Sequence, residues 1–239
     1  MATNRKSWDS FEAMRTAAQA GDAQAQCYLG VCYQNGQGVA HDYHEAVKWF
    51  RRAAEQNDPV AQCYLGVCYL NGAGVPQEFG EGARWFREAA EQGDPAAQFN
   101  LGMLYETGQG VTQNFADALK WYREAARRGY PAAQFNLGVF YETGQVVPQN
   151  FREAVRWYTA AAEQELAQAQ GNLGLCYQTG RGVEQNNVEA MKWLMKAARQ
   201  GDKNAQHNLG VHYSNMEIEA EARAEAALLA EQAQQADQG

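Results

Sequence analysis

Long apolar stretches are absent from this sequence of 239 residues. No 18 consecutive residues are apolar, so no segment is expected to insert into a membrane. The N-terminal stretch MATNRKSWDSF lacks the apolar run of a secretory leader, so we expect no signal peptide. With five cysteines, an odd number, the sequence favours reduced thiols and a cytoplasmic location.

Positive charge and catalytic motifs are also scarce. The chain has 20 Lys and Arg against 28 Asp and Glu, a net charge of −8, which disfavours binding to nucleic acid or to anionic membranes. It has four histidines and contains no HExxH, paired CxxC or Walker motif. We therefore predict a protein that is not an enzyme, with no catalytic residue, no metal and no cofactor.

What the sequence does contain is a repeat of 36 residues. AAQFNLGMLYETGQGV at 96–111 returns nearly unchanged as AAQFNLGVFYETGQVV at 132–147. An alanine followed by Gln recurs at Ala25, Ala61, Ala97, Ala133, Ala169 and Ala205, and a tryptophan recurs at Trp49, Trp85, Trp121, Trp157 and Trp193. A period of this length is typical of a stack of helical repeats.

The first half of each repeat is predicted to be one helix, called helix A. Asp58 and Pro59 are typical of a helix start, and Ala61, Leu65 and Tyr69 would form one buried stripe. A glycine in the middle of this helix, as in the Leu65-Gly66 pair, recurs in all six copies. Because glycine weakens a helix, its recurrence predicts the close approach of a second helix.

The second half is predicted to be a turn and a second helix, called helix B. Gly72 and Gly74 are suited to the end of helix A and the turn, and helix B would run from about residue 79 to Gly93, with Trp85 and Phe86 buried. No strand precedes the glycines, so they do not indicate a phosphate loop. Five pairs ahead of helix B resemble capping boxes: Asp42/Glu45, Glu78/Glu81, Asn114/Asp117, Asn150/Glu153 and Asn186/Glu189.

The cysteines follow the same period. Cys27 and Cys63 share one position of the repeat, and Cys32, Cys68 and Cys176 share another. A spacing of five residues on a helix separates two side chains by roughly 140°, which suits neither a disulfide bond nor a metal site. We expect these residues to act as small apolar packing groups.

These motifs resemble the Sel-one-like repeat (SLR) family, which is related to the tetratricopeptide repeat. The resemblance implies an all-α fold, a right-handed α/α superhelix of helix-turn-helix repeats. Full repeats read as 22–57, 58–93, 94–129, 130–165 and 166–201, with a partial sixth from 202, so that the solenoid spans 22–215. Residues 1–21 are predicted as an N-terminal capping helix, and 216–239 as an acidic, alanine-rich capping helix or tail.

The resemblance also implies a function. Family members in bacteria serve as adaptors in signalling, envelope assembly or host interaction, and tetratricopeptide proteins bind extended peptides in a concave groove lined by helices A. Carried over by the Leu-Gly alignment, the partner-binding positions are Tyr28, Tyr64, Phe99, Asn100, Met103, Phe135, Asn136, Asn172, His207 and Asn208. The asparagines would donate to and accept from a peptide backbone; the alternative is that each amide caps a neighbouring helix.

Charge narrows the predicted ligand. Of the 20 Lys and Arg, 14 fall on helices B, whereas helices A have only Lys203. We therefore expect the bound protein segment to be neutral to mildly basic. We also expect the chain to be a monomer. One alternative is a spacer or self-associating module whose ends or acidic tail bind. A remote alternative is a hydrolase of the β-lactam-binding type, because some cysteine-rich relatives have been proposed to bind β-lactams; helices B here have no cysteine of that pattern.

Overall fold

The computed structural model describes residue 8 and residues 10–210, which are helical with connecting turns and contain no strand. The chain divides into two compact units, Met1–Pro148 and Gln149–Gly239. Unit 1 contains α1 (Phe11–Gln19), α2 (Ala23–Asn35), α3 (Tyr43–Ala54), α4 (Pro59–Asn71), α5 (Phe79–Glu91), α6 (Pro95–Thr107), α7 (Phe115–Arg127) and α8 (Pro131–Thr143). Unit 2 contains α9 (Phe151–Ala162), α10 (Ala167–Thr179), α11 (Asn187–Arg199) and a helix, α12, at residues 203–210.

Helices A begin and end as the sequence predicts. The carboxylate of Asp58 accepts a hydrogen bond of 2.8 Å from the Ala61 N–H at the start of α4, and Asp94 caps α6 in the same way. Gly72 ends α4 in the left-handed conformation, with φ of 67°. Helix B also has the predicted bounds, since α5 ends just before Gly93. The single helix predicted within residues 10–21 is α1.

The capping box ahead of α3 is only half formed, and Glu78 ahead of α5 makes no side-chain cap bond. The Asp42 carboxylate accepts from the N–H groups of His44 and Glu45 as expected. However, the Asp42 N–H donates to the carbonyl of Tyr33 at the end of the preceding helix A, at 2.9 Å, and Glu45 pairs with Lys48 instead. The predicted return bond from the acid is therefore wrong in α3, because a backbone carbonyl of the turn already occupies that N–H.

The glycine within helix A is required by a side chain of helix B. A Cβ on Gly66 would lie 2.8 Å from two ring carbons of Phe86, which is fully buried. Gly102 meets Tyr122 and Gly174 meets Leu194 in the same way. The predicted close approach is confirmed, and its cause is an aromatic or leucine side chain that packs flat against the bare helix backbone.

The tryptophans of helices B join consecutive repeats. Trp85 is 8% exposed and packs in one cluster with Phe50 and Leu65, while Arg84 covers its outer side at 4.1 Å from the ring centroid. Trp49, Trp121, Trp157 and Trp193 are half-buried, and each also has a Lys or Arg over its ring. The predicted burial of the tryptophan is confirmed for Trp85 and is partial in the other four repeats.

Buried glutamines form a second joint between repeats that the sequence analysis missed. The amide of Gln62, 1% exposed, donates to the carbonyl of Ala54 at the end of the preceding helix B, and its oxygen accepts from Gln92 at 2.7 Å. The donation to an alanine carbonyl eight residues earlier recurs for Gln26, Gln98, Gln134, Gln170 and Gln206, at 3.0 to 3.3 Å. In each of these repeats, a hydrogen bond to a backbone carbonyl thus fixes helix A relative to the preceding helix B.

Two departures from the repeat pattern have structural consequences. Glu165 has φ of 64°, at a position where Gly93, Gly129 and Gly201 stand in other repeats, so its side chain is held in a conformation that favours glycine. Leu166 follows it at the start of α10 and makes no side-chain cap bond. The sixth repeat is described as far as residue 210, so residues 211–215 and the predicted acidic tail 216–239 lie outside the described residues.

The cysteines take the predicted packing role. Cys27, Cys63, Cys68 and Cys176 are buried, Cys32 is half-buried, and none of the five forms a disulfide bond. Burial raises the pKa of the Cys68 thiol to about 11. These residues fill small spaces between helices as weakly polar groups.

Candidate functional site

The predicted partner-binding residues of unit 1 lie on one stripe of each helix A, which we call the helix-A face. The stripe on α6 contains Ala96, Phe99, Asn100, Met103 and Thr107, which follow the spacing of one helix side and are half-buried or exposed. The opposite side of the helix is buried in the core. The equivalent positions on α2, α4 and α8 include Tyr28, Tyr64, Phe135 and Asn136, and each of these four retains exposed surface.

No cation lies on the A helices of the five full repeats. The helices α2, α4, α6, α8 and α10 contain no Lys, Arg or His, and their only charged residues are Glu106 and Glu142. By contrast, α3, α5, α7, α9 and α11 carry Lys or Arg on exposed positions, many in ion pairs with an acid three or four residues away. Exposed pairs of this kind stabilise little and serve as a solvated surface.

Aromatic side chains of the helix-A face are held in place by neighbouring rings. The Tyr64 ring stacks on Phe50 with centroids 5.0 Å apart and an interplanar angle of 7°. Phe99 contacts Tyr122 at 5.6 Å and Tyr130 at 5.2 Å. Because these contacts already hold the rings, little further side-chain entropy is lost when a partner binds.

Tyr130 is a site residue that the sequence analysis missed. It occupies the helix-start position at which Asp22, Asp58 and Asp94 cap the other helices of unit 1, and it makes no side-chain cap bond. Instead its ring lies against Phe99 and remains partly exposed. The replacement of a capping aspartate by an aromatic residue was the signal available in the sequence.

A buried tyrosine lies below the helix-A face. The Tyr122 side chain is fully buried, and its hydroxyl donates to the carboxylate of Glu106 at 2.6 Å. The Asn136 side chain lies near this hydroxyl and acts to lower its pKa. Burial, followed by the bond to Glu106, raises the pKa of the Tyr122 hydroxyl, so this group keeps its proton and remains a donor.

The thiol of Cys63 on the preceding helix A lies near Asn100 and Asp94. Burial is the main cause that raises the pKa of this thiol, and the nearby Asp94 charge adds to it, whereas Asn100 acts to lower it. The two roles predicted for the asparagines, binding of a peptide backbone and capping of a neighbouring helix, stay predictions.

In unit 2 the predicted residues also retain exposed surface. Asn172 and Asn208 are half-buried, whereas His207 is exposed. At the position of Phe99, α10 has Gly171, where an added Cβ would only touch Asp202 and Ala205 at ordinary contact distances of 3.6 to 3.9 Å. The anchoring ring of unit 1 therefore has no counterpart on α10.

Catalytic or metal chemistry has little support among the described residues. No cluster of three or more His, Cys, Asp or Glu that could hold a metal ion occurs there. Of two surface depressions, one of about 400 Å³ is lined by Arg87, Tyr105 and Asp117, and one of about 510 Å³ by Trp193, Lys196 and Glu163. Both are open clefts along helices B. No helix in the described part of the chain is long and apolar enough to cross a membrane.

Two capping aspartates are predicted to respond to pH with opposite signs. Burial raises the pKa of the Asp94 carboxyl above its ordinary value of 3.8, whereas hydrogen bonds from backbone N–H groups lower that of exposed Asp42. The contribution of Asp94 to stability is thus present at low pH and lost as pH rises through its raised pKa; that of Asp42 is lost as pH falls through its lowered pKa.

Replacing each aspartate by asparagine, which also caps helices but carries no charge, separates the two pH effects. We expect the stability of Asp94→Asn relative to the unaltered chain to increase between about pH 4 and about pH 7. We expect the stability of Asp42→Asn relative to the unaltered chain to decrease as pH rises toward neutral, because the charged carboxylate stabilises the unaltered chain. Urea denaturation followed by circular dichroism measures both differences; equal pH slopes for the two variants contradict the assignment.

Comparison with known proteins identifies the repeat. A family model described as Sel1 repeat matches five consecutive stretches, residues 23–58, 59–94, 95–130, 131–166 and 167–202. The chain belongs to the Sel1 repeat family. The predicted all-α fold of 36-residue helix-turn-helix repeats is thereby confirmed, together with the suspected family. Sel1 repeat proteins generally mediate protein–protein interactions.

Solved structures of Sel1 repeat proteins resemble this Sel1 repeat chain. The c5321 protein, a protective antigen of uropathogenic Escherichia coli strains with an SLR fold, is 39% identical over 85% of this chain, with a TM-score of 0.78. The match covers 44% of that protein, so this chain spans less than half its length. A Sel1 repeat protein from Oxalobacter formigenes is 37% identical over 86% of this chain and 90% of its own, with a TM-score of 0.76.

More distant structures share the fold alone. The immunity protein Pa5087 from Pseudomonas aeruginosa is 22% identical, with a TM-score of 0.56 over 82% of this chain and 75% of its own. A comparison with curated proteins finds no match.

Proposed function

We propose that this Sel1 repeat chain is a non-catalytic scaffold or adaptor that holds an extended segment of another protein along its helix-A face. The observation that carries the proposal is the chemistry of that face. In unit 1 it combines half-exposed rings and amides, repeated at one position per helix, with no cation on α2, α4, α6 or α8. Amides at repeat spacing suit the backbone of an extended chain, and rings suit its side chains.

The composition of the face also supports a partner that is neutral to mildly basic. Glu106 and Glu142 are the only charged residues on α2, α4, α6, α8 and α10, so an acidic segment would form no ion pair with these helices. The cations lie on helices B, where acids alongside offset them. A long, neutral to basic polypeptide segment fits this distribution, whereas a phosphate backbone does not.

Affinity capture with paired variants tests the proposal. Asn136→Arg introduces a long cation into the helix-A face of unit 1, and Asn172→Arg does the same in unit 2. Ala116→Arg is the matched control, because Ala116 is exposed on helix B and Arg152 occupies its position in the next repeat. We expect each asparagine variant, but not the control, to lose partners detected by mass spectrometry from a lysate of the source organism. Identical partner sets for all three contradict binding on the helix-A face.

A further inference from the structure

We infer that the helix-A face of unit 1 selects a segment carrying a lysine or arginine side chain, which pairs with Glu106. This inference rests on the proposed function and adds to it the chemical class of the bound segment.

The Glu106 carboxylate is held by the buried Tyr122. A carboxylate can only accept a hydrogen bond, so in the 2.6 Å contact the Tyr122 hydroxyl gives its proton to Glu106. The Tyr122 side chain is fully buried, so it ties this carboxylate to a fixed point of the helix-A face.

Glu106 is the only charged residue on α6. The Tyr122 hydroxyl bonds only one of its carboxylate oxygens, Oε2, and holds the side chain in a defined position. None of the ion pairs among the described residues involves Glu106, and α4, α6 and α8 contain no cation. A lysine or arginine of a partner would supply the missing counter-charge, and its charged hydrogen bond to a carboxylate is stronger than a neutral one.

Neighbouring rings favour the same type of side chain. Phe99 and Tyr130 lie 5.2 Å apart between α6 and α8, and both keep exposed surface. Guanidinium groups stack on aromatic faces and the stems of both basic residues pack on them. An acidic side chain would meet the like charge of Glu106, the only charged residue on α6, and form no ion pair there.

Selection from a phage-displayed library of random linear peptides tests the inference. The intact chain is the bait, beside Glu106→Gln, Tyr122→Phe and the control Glu124→Gln, which removes the same charge from an exposed position on α7. Phe86 occupies the position of Tyr122 in the preceding repeat, so the phenylalanine variant is expected to fold. The best binder is then synthesised with its arginine replaced by citrulline, which has the same shape without the charge.

We expect lysine or arginine to be enriched at one position of the selected peptides, and citrulline to weaken binding to the intact chain and to Glu124→Gln about tenfold. The Glu106→Gln variant is expected to bind both peptides equally, and Tyr122→Phe to lose part of the preference because Glu106 is no longer held. Selected peptides that Asn136→Arg weakens but that show no basic preference overturn this inference and leave the proposed function intact. If no selected peptide is weakened by Asn136→Arg, both are overturned.

Discussion

Phe86→Ala is expected to lower the free energy of unfolding by about 4 kcal/mol, since it removes a fully buried ring from the joint between α4 and α5. The ring lies where a Cβ of Gly66 would be. Gly66→Ala alone is expected to cost about 2 kcal/mol, because the added methyl group overpacks the joint.

The decisive measurement is the double variant. Without the Phe86 ring, the Gly66→Ala methyl group enters a vacated space and improves helix propensity, so the substitution is expected to stabilise the Phe86→Ala chain by about 1 kcal/mol. Urea denaturation monitored by circular dichroism measures all three variants. A Gly66→Ala effect of the same sign in both backgrounds contradicts the ring-on-glycine contact.

Gly110→Ala is expected to lower the free energy of unfolding by about 3 kcal/mol. Gly110 has φ of 70°, and a Cβ there would overlap the Phe79 carbonyl at the start of the preceding helix B and lie 2.7 Å from the Gly80 N–H nitrogen. Two unfavourable effects therefore add. Alanine is strained in the left-handed conformation, and its Cβ would collide with backbone atoms, which cannot move aside as a side chain can by changing rotamer.

Gly80→Ala is the matched control for this substitution. Gly80 lies in the first turn of α5, and a Cβ there would have no atom within 4 Å. We expect this variant to be more stable than the unaltered chain by about 0.5 kcal/mol, because alanine restricts the unfolded chain. Thermal denaturation of the pair measures the contrast, and a stable Gly110→Ala chain contradicts the close contact between turn and helix.

Much of the fold could be predicted because the repeat multiplies each weak signal. One glycine such as Gly66 in a helix means little, but the same glycine in every copy indicates a close contact. The capping boxes were predicted less well, because the competing acceptor for the Asp42 N–H is the backbone carbonyl of Tyr33. Every residue has a backbone carbonyl, so the sequence does not indicate which one accepts this hydrogen bond.

The candidate site divides in the same way. Its positions were predictable, since Asn100 and Asn136 stand at one phase of the repeat. The groups beside them, Cys63 and Tyr122, were not, because these residues come from other helices. That information lies in contacts between helices. Tyr130 was missed because its position reads as a helix start, and only the structure shows its ring against Phe99.

The buried glutamines bear on how such a chain can change in length. Gln62 recognises the preceding copy through a main-chain oxygen of Ala54, which any residue would provide. A junction made in this way does not depend on which copy comes before it, so copies are interchangeable at this contact. Duplication or loss of whole 36-residue segments would then preserve the joint, and the family could lengthen or shorten its members without redesigning it.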